Sequence, residues 1–171
     1  PEPDTDWVRY SYTSMTTPAT TYELNVETGE RRQLKQQPVI GYDASQYTTE
    51  RVWVEARDGV KVPVSLVYRN GFRKDGTAAL MQYAYGSYGL SMDPGFNSSV
   101  VSLLDRGMVY AIAHIRGGQE MGRDWYDHGK LLNKQNTFND FIDVTAALVA
   151  QGYAAPERVA AHGGSAGGLL M

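Results

Sequence analysis

The chain of 171 residues contains no cysteine. Disulfides, thiol nucleophiles and thiolate metal sites are therefore excluded within it, and the composition fits a cytoplasmic protein. No apolar run approaches the roughly 20 residues of a membrane-spanning helix, so no membrane association is expected. Positive charge is not in excess either. Sixteen Lys and Arg stand against 19 Asp and Glu, for a net charge of −3. With no basic stripe, nucleic acid is not an expected partner. The first residues, Pro1-Glu-Pro-Asp-Thr-Asp6, are polar and lack the pattern of a signal peptide, and there is no initiator Met. Nucleotide-binding patterns such as G-x-G-x-x-G are missing, as is H-E-x-x-H. The three histidines are too scattered to argue for a metal. No cofactor is expected. What remains is globular: 42% of residues are hydrophobic and 20% charged. A chain of this length makes one ordinary domain and buries roughly 70% of its unfolded surface.

Residues 1–35 read as β-structure. Trp7 to Ser14 is a strand-rich run, and Tyr22, Leu24 and Val26 alternate on one face. Thr28-Gly29-Glu30 is a turn, and Arg31 to Leu34 begins another strand. Such strands cannot bury both faces alone, so they are expected to belong to a larger β-structure. Residues 36–45, with Pro38 and Gly41, read as a linker. The pattern then sharpens. Val52, Val54 and Ala56 alternate, Asp58-Gly59 signals a hairpin turn, and Val60 to Tyr68 alternates again. Pro63 predicts that this second strand lies at an edge or a bulge.

From residue 77 the order becomes strand, helix, strand, helix, strand. The strands are the apolar runs 78–85, 108–114 and 158–162. The first helix is expected to start at Asp93-Pro94 and stop at Gly107. The second has Phe138, Phe141, Ile142, Thr145 and Leu148 at helical spacing, with Thr137 to Asp140 resembling a capping box. This alternation predicts an α/β fold with a mostly parallel sheet and helices on both faces.

Gly163-Gly-Ser-Ala-Gly167 matches G-x-S-x-G. Composition alone yields about 0.1 such matches, so the pattern is weak without context. The context is a strand before it and the first turn of a helix after it. A serine on a sharp strand-to-helix turn presents its hydroxyl above the sheet. Ser165 is the candidate nucleophile, and the Ala166 N–H is a natural oxyanion donor at the helix start. The competing reading is a glycine-rich helix start with a capping serine. Tyr85-Gly-Ser-Tyr-Gly89 follows the first parallel strand, where a second oxyanion donor belongs. The Tyr85 hydroxyl could serve, although an aromatic turn is the alternative. His114, His128 and His162 each read more simply as structural. His114 could approach the site, and His162 is expected to pack near the sheet. Neither Asp nor His follows Ser165, so no triad is completed in the order expected for a hydrolase of this kind.

Four motifs in order resemble the prolyl oligopeptidase family of serine peptidases. They are Tyr85 to Gly89, Ile115-Arg-Gly-Gly-Gln-Glu-Met-Gly122, Lys134-Gln-Asn-Thr-Phe-Asn-Asp-Phe141 and Gly163 to Leu170. The likeness is strong over residues 47–171 and looser before them. Ala166 after the serine resembles the oligopeptidase B branch. The resemblance implies that residues 1–45 are the end of a β-propeller and a linker, and that 46–171 are the N-terminal portion of an α/β-hydrolase domain. It implies Ser165 as nucleophile with Tyr85 and Ala166 as the oxyanion hole. It further implies cleavage of short peptides after Arg or Lys, and a remainder of the polypeptide that supplies the triad Asp and His. On that reading residues 1–171 are a fragment, inactive and poorly stable alone. The alternatives are another α/β-hydrolase, such as an acylaminoacyl-peptidase or esterase, and an inactive binding module.

Overall fold

The computed structural model describes residues 4–171, so the polar start read at Pro1 to Pro3 lies outside the described residues. Three antiparallel strands come first: β1 (Trp7–Ser14), β2 (Thr17–Asn25) and β3 (Arg31–Gln36), in that spatial order. Every residue of β3 is exposed, and Val8 and Tyr12 of β1 are each 51% exposed. The apolar face of this sheet thus has little to cover it within the chain, as expected of strands from a larger β-structure. Its attachment to the rest is local. Met15, in the β1–β2 turn, is buried with Val67, Leu104 and Ile112. Thr13 Oγ1 accepts the Phe96 N–H at 3.0 Å, and the Tyr42 hydroxyl donates to the Thr16 carbonyl at 2.6 Å.

The second sheet has five strands: β4 (Tyr47–Glu55), β5 (Lys61–Arg69), β6 (Leu80–Tyr83), β7 (Val109–Ala113) and β8 (Val159–His162). Their order is β4-β5-β7-β6-β8. β7, β6 and β8 run parallel, and the β4–β5 hairpin adds antiparallel to β7. The sheet is therefore mixed. The hairpin turns at Gly59 (φ +82°), whose N–H donates to the Ala56 carbonyl.

Pro63 corrects the expectation of an edge strand, because β5 is interior. The Pro63 carbonyl accepts the His114 N–H, so its ring nitrogen also faces β7. The last paired residues there are Val64 and Ala113. The ring forbids the reciprocal bond to the His114 carbonyl, and the Trp125 indole N–H donates to that carbonyl instead at 3.0 Å.

Four α-helices lie among the described residues: α1 (Ser98–Leu104), α2 (Arg123–Asp127), α3 (Gln135–Ala150) and α4 (Ala166–Leu170). Alternation along the strands sends Val62, Val64, Leu66, Leu80, Val109 and Ala111 to one face, under Phe141, Val144 and Leu148 of α3. Each valine, leucine or phenylalanine among them contributes about 1.5–3 kcal/mol when buried. The other face carries Val67 and Ile112 beneath Leu104 of α1.

α1 starts later than Asp93-Pro94 predicts. Asn97 caps it by accepting the Ser99 N–H at 2.9 Å, while residues 93–96 form a loop tied to Thr13. α2 carries little periodicity and is not evident in the sequence. Among the described residues no helix is long and apolar enough to cross a membrane. β8 is the outer strand of the sheet. Beside it Ile142 is 53% exposed, next to an apolar groove of about 450 Å³ lined by Val149, Pro156 and Val159.

Candidate active site

The parallel strands bring three loops to one edge of the sheet. Tyr83 of β6 pairs in register with Ile112 of β7 and with His162 of β8. The loops at 85–89, 115–122 and 163–165 therefore start from one level, at the carboxyl ends of the strands. Ligand sites of open α/β sheets lie there.

Ser165 sits between β8 and α4 at φ +54°, ψ −120°. A non-glycine residue held there costs about 1–3 kcal/mol. The strain has a visible cause. The chain turns from strand to helix within three residues, and Gly167 and Gly168 donate to the carbonyls of Gly164 and Ser165 at 2.8 and 2.9 Å. A Cβ on Gly163 would overlap the Gly167 carbonyl, so the turn needs a glycine there. Ser165 is exposed and its side chain makes no capping hydrogen bond, unlike the capping serine considered above. Ala166 heads α4, so its N–H has no acceptor within that helix.

Tyr85 lies against the same turn. A Cβ built on Gly167 would sit 3.5 Å from Tyr85 Cδ2 and 2.9 Å from the Ala84 carbonyl oxygen. Gly167 thus lets α4 approach the end of β6. Ser165, Ala166 and Tyr85, each chosen from the sequence, come together at one place.

Two of the histidines, His114 and His128, are committed elsewhere. His114 is 1% exposed. Its Nε2 accepts from Arg51 Nη1 at 2.8 Å and lies 2.9 Å from Ser65 Oγ, on the β4–β5 side of β7. Accepting there leaves its proton on Nδ1, 3.7 Å from Glu120 Oε1. Burial pushes the Glu120 carboxyl up. The nearby His114 ring and the Met92 N–H, which donates to Glu120 Oε1 at 3.0 Å, outweigh that and hold it below its ordinary value. His128 Nδ1 donates to the Asp124 carbonyl at the end of α2. His162 is exposed, yet it packs near the sheet as expected. It stacks obliquely on Tyr83, 5.8 Å between ring centres, beside a cavity of about 430 Å³ that Met92, Phe96 and Tyr110 also line.

The three loops are held from behind. Arg116 is 4% exposed, and both its main-chain N–H and its guanidinium bind Asp140, which is fully buried. Its Nη1 reaches Asp58 in the hairpin turn at 2.6 Å. The carboxylates push the Arg116 pKa up, and Arg116 holds Asp58 below its usual range.

Thr137 is not a cap, and the capping-box reading is corrected here. α3 already starts at Gln135. The Thr137 hydroxyl instead lies within hydrogen-bond distance of the carbonyls of Arg116 (2.8 Å) and Gly129 (3.1 Å). Thr137 and Asp140 thus serve a neighbouring loop, which no local pattern reveals. Lys134 reaches back from the start of α3 to the 85–89 loop. Sequence reasoning assigned these residues no role beyond the motifs that contain them. Among the described residues no group of three His, Asp or Glu could hold a metal ion.

The model of the Prolyl oligopeptidase family matches residues 94–171. The model of the Prolyl oligopeptidase N-terminal beta-propeller domain matches residues 1–37. The chain is 74% identical to dipeptidyl aminopeptidase BI of Pseudoxanthomonas mexicana, over all of this chain and 24% of that protein. It is 49% identical to Protease 2 of Moraxella lacunata, over 98% of this chain and 24% of that protein. Oligopeptidase B from Trypanosoma brucei with covalently bound antipain superimposes with a TM-score of 0.90 at 46% identity. That match covers 98% of this chain and 24% of the other. The chain therefore spans about a quarter of the length of these relatives. Its fold is that of β-propeller strands followed by the mixed-sheet beginning of an α/β-hydrolase domain.

Proposed function

The chain belongs to the prolyl oligopeptidase family, and from that premise we propose that it carries the nucleophile and oxyanion hole of a serine oligopeptidase. Ser165 Oγ attacks the scissile carbonyl, and its proton passes to a histidine supplied by sequence outside this chain. The developing oxyanion is received by the Ala166 N–H and the Tyr85 hydroxyl. Collapse of the tetrahedral adduct expels the amine, which takes that proton, and leaves an acyl-enzyme on Ser165. Water then hydrolyses it. The observation that carries this reading is the left-handed conformation of Ser165 at a strand-to-helix turn against which Tyr85 packs. The covalent antipain complex of the Trypanosoma brucei oligopeptidase B supports it.

The substrates on this reading are short peptides cleaved after Arg or Lys. Residues 1–45 are then the end of the propeller and its linker, and 46–171 the first part of the hydrolase domain. A second reading, dipeptide release from a free amino terminus, is favoured by the 74% identity to a dipeptidyl aminopeptidase.

The experiment uses the intact enzyme. A fluorophosphonate probe should label Ser165, and Ser165→Ala should abolish both labelling and turnover. Fluorogenic Arg-Arg substrates with blocked and free amino termini then separate the two specificities. A Gly-Pro substrate serves as the comparison. Turnover of the blocked Arg-Arg substrate supports the endopeptidase, and turnover of only the free one supports dipeptide release from the amino terminus. Hydrolysis of aryl esters without peptides would point to an esterase instead. Peptide binding with no labelling would sink the catalytic reading.

A further inference from the structure

The Tyr85 loop is clamped by a cation that has no carboxylate partner among the described residues. Lys134 Nζ donates to the Gly86 carbonyl at 2.5 Å and to Ser87 Oγ at 2.8 Å. These acceptors are neutral. Burial lowers the Lys134 pKa, and no acid among the described residues offsets it. A partly desolvated ammonium is costly, so a group kept in this position without a counter-charge has to be compensated by the geometry it holds. Gly86 adopts φ +67°, and a Cβ there would meet Thr137 Cγ2 at 2.5 Å and Ile115 Cδ1 at 2.8 Å. The next loop closes over it, with Gly89 donating to the Gly117 carbonyl at 3.0 Å. Thr137 stands one turn further along α3, fixed to Arg116.

Resting on the proposed function, we infer that Lys134 is a positioning residue of the oxyanion hole. Its ammonium fixes the Gly86–Ser87 peptide so that the preceding residue, Tyr85, keeps its hydroxyl aimed at the elbow. Lys134 touches no reacting atom in this role; it acts through Tyr85. Small displacements of a group that stabilises the transition state cost large factors in rate, so the effect should appear in kcat rather than in KM.

The test is a double-mutant cycle in the intact enzyme, with rates normalised to active sites titrated by fluorophosphonate. Tyr85→Phe should lower kcat about 100-fold, the cost of one oxyanion donor. Lys134→Met keeps the aliphatic stem and removes the ammonium. It should lower kcat about tenfold with KM nearly unchanged. The double variant should be no slower than Tyr85→Phe alone, because the clamp has nothing left to position. Multiplied losses, about 1,000-fold in the double variant, would overturn the inference. So would a Lys134→Met enzyme with unaltered kcat, or with KM shifted as much as kcat. A purely structural lysine would lower the melting temperature without coupling to Tyr85.

If Lys134→Met does not fold, Ser87→Ala replaces it. Removing one of the two acceptors should slow kcat by a smaller factor, again absent in the Tyr85→Phe background. A factor that persists there refutes the clamp. If Tyr85→Phe itself leaves kcat untouched, the oxyanion reading of Tyr85 falls and takes this inference with it. If Tyr85→Phe is slow but Lys134→Met is not, only the clamp is wrong.

Discussion

Asp140→Ala tests whether the Arg116 network holds the fold of the α/β segment. Asp140 is fully buried, and Arg116 is 4% exposed. The substitution removes three hydrogen bonds to Arg116, from its main-chain N–H, Nε and Nη2. The guanidinium keeps one carboxylate, Asp58, whose side chain is 40% exposed. Breaking a buried pair from one side costs about 3–5 kcal/mol, because a charge is left in low dielectric. The remaining contact with Asp58 argues for the lower end, about 3 kcal/mol. At about 2–4 °C per kcal/mol for a domain of this size, the hydrolase-domain transition should fall by roughly 6–12 °C.

Asp143→Ala is the control. It breaks the Arg57 pair, in which the arginine side chain is 52% exposed, and should cost about 1 kcal/mol or less. Scanning calorimetry of the intact protein reads both. An Asp140→Ala loss no larger than that of Asp143→Ala would refute the reasoning. An Arg116→Met/Asp140→Leu double variant should recover most of the loss, since apolar replacement of a buried pair is often near neutral.

Acid stability should report on Asp143, whose carboxyl Arg57 holds below its ordinary value of 3.8. A depressed folded value means that the stabilisation is present above about pH 4 and is lost as pH falls through it. Urea midpoints measured from pH 6 down to 2.5 should therefore fall less steeply in Asp143→Asn. Leu66→Ala removes a fully buried side chain from under α3 and should cost about 2–5 kcal/mol in the same melts. Gly163→Ala should cut fluorophosphonate labelling of Ser165 by about 100-fold, because its Cβ meets the Gly167 backbone rather than a movable side chain. Unchanged labelling would mean that the elbow tolerates a different path.

The parts of this chain legible from its sequence are those whose signals are local. The hairpin could be read because Val62, Val64 and Leu66 alternate and Asp58-Gly59 supplies its turn. The elbow was legible because a small-residue turn between strand and helix is a local constraint, and φ +54° at Ser165 is its consequence. Misreadings arose where a local pattern serves a distant partner. Asp93-Pro94 has the chemistry of a helix start, but Phe96 is drawn to Thr13, and Asn97 caps the helix instead. Thr137 and Asp140 have the spacing of a cap, but Arg116, more than 20 positions earlier in the chain, takes both. Pro63 forbids a ladder bond, and only the fold reveals that Trp125 satisfies the His114 carbonyl left over. Lys134 is the clearest case. In the sequence it is only the first residue of a motif, and its acceptors lie 48 and 47 positions away. The residues that touch the reacting atoms in the proposed mechanism are thus written in contiguous motifs. Those that place them are written in pairs of motifs, and their pairing becomes visible only when the parallel strands bring the loops to one edge.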